Sequence, residues 1–163
     1  MEGILREFIE VMAKQNQILD QLAVLGEQKQ QIIIAGEVKE LDSLIQKESG
    51  LVAHLEKLES QRFKLQQKLN RSETTARELV EWVGQEYPQL KEEFQETVDR
   101  LSYNLDRLKV INKHNNELIE QSLQYIESIQ ALLNGDIAGT YTDRGDLADE
   151  KTGRRMNLLD TRA

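Results

Sequence analysis

The sequence predicts an all-α fold: a long antiparallel helical hairpin built into a three-helix coiled-coil bundle, with a short extra helix and a C-terminal tail. Three observations predict it. Apolar residues recur at spacings of three and four over most of the first 134 positions, which places them on one face of a helix. Among the 163 residues Pro occurs once and aromatics make up 5%, poor material for a sandwich, a barrel or an α/β core. Charged residues are 31%, a balance typical of long helices rich in Leu, Glu, Gln and Lys.

The first helix is expected over about 3–35. Ile4, Phe8, Val11, Ile18, Leu22, Leu25 and Ile32 form its stripe, widened by Leu5, Met12 and Leu19, while Gln15 and Lys29 interrupt it. Gly26 inside this run costs roughly 1 kcal/mol against Ala. Gly36 is suited to cap the helix, because Gly enters the left-handed region without penalty.

A second helix is expected over about 38–69, with Leu41, Glu48, Leu55, Arg62 and Leu69 at heptad position a and Leu44, Leu51, Leu58 and Leu65 at d. Four Leu in the d series make a strong coiled-coil seam. Glu48 and Arg62 are polar seam residues that lower stability but fix register. Residues 70–75 read as a turn, and Thr75 with Glu78 is a capping-box pattern opening a short helix over about 75–84. Gly84 and Pro88 bracket a break, since Pro pushes Tyr87 out of the α region.

The last helix is expected over about 88–134. Its seam runs Phe94, Leu101, Leu108, Asn115, Ser122, Ile129 at d and Val98, Leu105, Asn112, Ile119, Ile126, Leu133 at a. At ~1.5 Å per residue it spans roughly 70 Å, against ~45 Å for each of the first two helices. Part of it must project, fold back or meet another protein. Asn112 and Asn115 make the seam polar there, as register-fixing residues or as part of a partner surface that tolerates exposure. Leu118, Ile119, Leu123, Ile126, Ile129 and Leu133 remain an apolar strip suited to binding a partner helix. Residues 135–163 hold four of the nine Gly and no helical periodicity, and are expected to form a flexible tail. Isolated apolar groups in it, Tyr141, Leu147, Met156, Leu158 and Leu159, are spaced like short recognition elements; an inert solvated tail is equally open from composition.

The formal net charge is −8, from 21 Lys and Arg against 29 Asp and Glu. That sign argues against nucleic-acid binding, which draws affinity from phosphates neutralised by Lys and Arg, and against a basic membrane-surface helix. The excess acid is localised. Residues 1–69 carry 9 basic and 11 acidic groups, residues 70–134 carry 7 and 12, and residues 135–163 carry 5 and 6. No signal segment or membrane span is read, so a soluble, cytoplasmic protein without membrane insertion is expected. There is no Cys, and neither His54 nor His114 sits in a Glu-x-x-His pair. No phosphate-binding Gly loop or nucleophile elbow appears. The reading is therefore of no enzyme, no catalytic residue, no metal and no cofactor.

Two long antiparallel helices lead into a third with the Asn-rich stretch 112–119, Asn-Lys-His-Asn-Asn-Glu-Leu-Ile. A tail follows with Tyr141-Thr142-Asp143-Arg144-Gly145 and ends Leu159-Asp160-Thr161-Arg162-Ala163. This arrangement resembles the FlgN-like flagellar export chaperones over essentially the whole chain. The resemblance implies a cytoplasmic type III export chaperone that binds the terminal helical segments of hook–filament junction proteins and delivers them to the flagellar export gate. It also implies that Tyr141 is the gate-docking residue. Monomer and homodimer both remain open, and a structural coiled-coil scaffold is the alternative.

Overall fold

The computed structural model describes residues 1–134, with the side chains of 122, 123, 125, 126, 129, 130, 133 and 134 outside the description. Among the described residues the chain is all-α. The elements are α1 (Glu2–Ala35), α2 (Val38–Lys68), α3 (Ala76–Glu86), a 3-10 turn (Pro88–Leu90) and α4 (Lys91–Asn134). Two compact units result. The first is Met1–Leu25 with Asp42–Leu108, and the second is Gly26–Leu41 with Lys109–Ala163, described as far as Asn134.

In the first unit α1 and α2 run antiparallel, with Gln15 Nε2 donating to Glu59 Oε2 at 2.8 Å. α1 and α4 run parallel, because their partner numbers rise together. Phe8 stacks on Phe94 with ring centroids 6.1 Å apart, and Asn16 Nδ2 donates to the Thr97 carbonyl at 3.2 Å. Asn104 Nδ2 donates to Asn16 Oδ1 at 3.2 Å. The core gathers Leu5, Phe8, Met12 and Leu19 of α1, Leu58, Leu65 and Leu69 around the end of α2, Val83 of α3, and Leu90 and Phe94. The Leu seam expected on α2 is part of it: Leu44, Leu58 and Leu65 are buried, and Leu51 and Leu55 pack against the core.

The connection after α2 is ordered by side-chain bonds. Asn70 takes a positive φ of 57°, a conformation Asn tolerates better than most residues. Gln66, itself buried, donates through Nε2 to the carbonyls of Arg71 at 2.8 Å and Thr74 at 3.2 Å. α3 opens with the capping box read from the sequence: Glu78 N donates to Thr75 Oγ1 at 3.3 Å and Thr75 N to Glu78 Oε2 at 2.8 Å. The helix does not stop at Gly84 but continues to Glu86. Val83 is fully buried, and the Tyr87 N–H closes on its carbonyl at 2.8 Å. The break therefore waits for Pro88, which forces Tyr87 to φ −135°. Trp82 packs edge-on to Tyr87 at 5.7 Å and carries the Arg71 guanidinium over its ring at 4.8 Å.

In the second unit α1 ends in a left-handed Gly. Gly36 has φ 71°. Its N–H donates to the Ile33 carbonyl and that of Glu37 to the Ile32 carbonyl, both at 3.2 Å, the paired bonds of a Schellman cap. Farther back, Gly26 lets α4 approach closely: a Cβ there would lie 2.5 Å from Ile111 Cγ2. Asn115 Nδ2 donates to the Gly26 carbonyl at 2.8 Å. From that contact nine residues of α1 remain, to Ala35, and nineteen of α4, to Asn134. The difference of ten residues is roughly 15 Å of helix that α1 has no length left to cover.

Candidate functional site

Among the described residues every fully buried apolar side chain belongs to the first unit. Among the described residues the second unit buries no apolar side chain fully. Ile32, Ile33, Leu41, Ile111, Leu118 and Ile119 are half-buried, while Ile34 (64% exposed), Val38 (70%), Val110 (69%) and Leu132 (69%) face solvent. Within this unit Asn115 and the Gly26 carbonyl tie α4 to α1.

Of the strip expected to bind a partner, Leu118 and Ile119 lie half-buried on α4. Leu123, Ile126, Ile129 and Leu133 are also on α4, but their side chains lie outside the described residues, as does Tyr141 altogether. The four polar seam residues fall in different places. Asn115 is 1% exposed; Asn112, Glu48 and Arg62 are half-buried. Arg62 donates from Nε and Nη2 to the two Glu59 oxygens at 2.8 and 2.7 Å, and from Nη1 to Gln66 Oε1 at 2.8 Å. The Arg62 hydrogen bond holds the Glu59 carboxyl below its ordinary range against partial burial, with the Gln15 bond assisting. The same pairing raises Arg62.

Sequence reasoning missed a second polar layer. Asn104 is 1% exposed and Asn16 8%, whereas Leu105, assigned to the seam, is only half-buried. The row that meets α1 is Thr97, Asn104 and Ile111, one residue before the Val98, Leu105, Asn112 series. An alternative heptad phase, with 94, 101, 108 and 115 paired to 97, 104, 111 and 118, contains it. An Asn is an uncommon occupant of a buried position, so this row carries a weak sequence signal. Within the first unit a cleft of about 330 Å³ is lined in part by Phe8, Met12, Phe63, Phe94, Val98 and Leu101, with Arg62 and Gln66 at its polar edge.

The hairpin turn has its own electrostatic character. Glu37 and Glu40 are exposed on either side of Val38. The Glu37 carboxyl, by a hydrogen bond and then by charge repulsion, holds Glu40 above the ordinary carboxylate range.

The protein is thus of the all-α bundle class, and none of its described helices is long and apolar enough to cross a membrane. A family model described as FlgN protein matches residues 1–149. The chain belongs to the FlgN family, and membership carries the general role of a flagellar export chaperone. It is similar to the uncharacterized protein YvyG of Bacillus subtilis (strain 168), at 26% identity over 147 residues, covering 88% of this chain and 89% of that protein. No solved structure matches the chain.

Proposed function

We propose that the protein is a cytoplasmic chaperone that holds a terminal helical segment of a hook–filament junction protein on the open apolar surface of its second unit. The observation that carries this reading is the contrast in burial. The first unit closes its core, and the second leaves Leu118, Ile119, Ile34 and Val38 wholly or partly uncovered. An amphipathic client helix laid along α4 buries its stripe against Leu118, Ile119, Leu123, Ile126, Ile129 and Leu133. Each Leu-sized side chain buried contributes ~1.5–3 kcal/mol before ordering costs. A few are enough for micromolar binding. Release needs no bond chemistry, only a competing surface at the export gate, where Tyr141 is the docking residue.

The test is a pull-down of flagellar junction proteins with the full chain and with the variant Leu118→Asp/Ile126→Asp. The wild-type chain is expected to retain a junction protein. The variant is expected to lose it while keeping its helical circular dichroism. No capture by the wild-type chain, or global unfolding of the variant, defeats the proposal. A tight dimer in sedimentation without client binding assigns the surface to a scaffold instead.

A further inference from the structure

The hairpin turn holds two of the large apolar side chains most exposed among the described residues, Val38 and Ile34. Exposed carboxylates at Glu37 and Glu40 stand beside them, with Lys39 the one basic group between. Two apolar groups held in water on a turn where acid outnumbers base are suited to a segment with apolar residues directly adjoining positive charge. The chain contains such a segment outside the described residues: Arg154-Arg155-Met156-Asn157-Leu158-Leu159, two positive charges and three apolar side chains with no acid among them.

The covalent path permits the contact. Asn134 closes α4 in the same unit as the turn. The ~15 Å excess of α4, with an interhelical spacing of ~10 Å, puts Asn134 within roughly 25 Å of Gly36. Residues 135–153 supply nineteen positions between Asn134 and Arg154, which reach ~60 Å when extended. A tether of that reach supplies an effective concentration on the order of millimolar. A contact too weak to form between separate molecules is therefore populated within one.

We infer that residues 154–159 fold back onto the α1–α2 turn of the same chain, with Arg154 and Arg155 against Glu37 and Glu40 and the apolar trio over Ile34 and Val38. The contact covers the turn in the free protein and gives an incoming partner something to displace.

The absence of native Cys permits a single nitroxide label on the full chain. A label at Asn157→Cys is expected to broaden the methyl resonances of Ile34 and Val38. The same label at Ala148→Cys is expected to broaden them about fivefold less. The substitutions Arg154→Glu/Arg155→Glu are expected to reduce the effect by about fivefold, the size of one to two exposed ion pairs. Adding Glu37→Lys/Glu40→Lys is expected to restore it. The inference is overturned if the two labels act alike, if charge reversal has no effect, or if Leu118 and Ile119 broaden in place of Ile34 and Val38. It is equally overturned if broadening appears only between a labelled and an unlabelled copy, which assigns the contact to a dimer. All the substitutions lie on exposed positions or outside the described core, and an unchanged circular dichroism melt confirms that each variant folds.

Discussion

At position 26 a side chain as small as a methyl group meets Ile111 Cγ2 at 2.5 Å. Ile111 is β-branched and sits in a helix, so its χ1 cannot swing to make room. Gly26→Ala gains roughly 1 kcal/mol of helix propensity and incurs an overpacking cost of ~1–3 kcal/mol. The expected result is a net loss of up to about 2 kcal/mol in urea unfolding, with Gly26→Ala/Ile111→Ala recovering most of it in a double-mutant cycle. The buried amides make a second residue-scale case. Asn104 Oδ1 is buried without a hydrogen-bond partner while its Nδ2 serves Asn16. Asn104→Leu leaves Asn16 Oδ1 unsatisfied and is expected to cost about 1–3 kcal/mol. Asn16→Leu/Asn104→Leu removes both amides and is expected to be close to neutral, as thermal unfolding of the three variants will read. Gly26 looked like a defect in the sequence, since its benefit lies on a helix more than eighty positions away.

Among the elements, α3 was the most legible, because its signals are local. Thr75 and Glu78 satisfy each other's backbone donors within four residues, and Pro88 dictates the break that follows. Only Gly84 misled: its low helix propensity yields to the burial of Val83 beside it. Thr75→Ala removes the cap and is expected to destabilise the first unit by about 1 kcal/mol in denaturant unfolding. Glu78 adds a pH signature. The Thr75 backbone N–H, then its hydroxyl, hold the Glu78 carboxyl below the ordinary range. The folded state therefore binds this proton less readily than the unfolded state. The stabilisation is present above the unfolded carboxylate value and is lost as pH falls through the lower native one. Glu78→Gln is expected to flatten that part of the acid limb in a pH series of unfolding midpoints. The seam of α2 was also legible, from Leu at every fourth and third position. The seam of α4 was legible in part: Phe94, Leu108 and Asn115 are buried and Val98 and Leu105 pack against the core, while the adjoining row Thr97, Asn104 and Ile111, which also meets α1, was not read.

For the whole molecule, the fully buried apolar side chains among the described residues all fall in the first unit, whereas Ile34, Val38, Val110 and Leu132 of the second are exposed. This division follows from the lengths of the helices. Long amphipathic helices can close a core only where three of them overlap with α3 beneath, and α4 retains more residues than α1 after their contact at Gly26. The mismatch was visible in the sequence as 47 expected positions against about thirty. The apolar residues of this unit were legible only in part: Leu118 and Ile119 were read as an apolar strip, whereas Ile34 and Val38 were read as ordinary helix. A junction-protein pull-down reports on the function of that surface, and the nitroxide labels report on what covers its turn in the free chain.

Helix class, the α1–α2 turn at Gly36, the cap at Thr75, the break at Pro88 and the Leu seam all rest on interactions within a few residues or on a fixed periodicity. A linear sequence states such interactions directly. The Asn16–Asn104 layer and the close approach at Gly26 depend on which residues meet across 80 or more positions. Such meetings are decided by the parallel register of α1 against α4 and by which face each turns to the other, which the hydrophobic pattern of either helix alone does not fix.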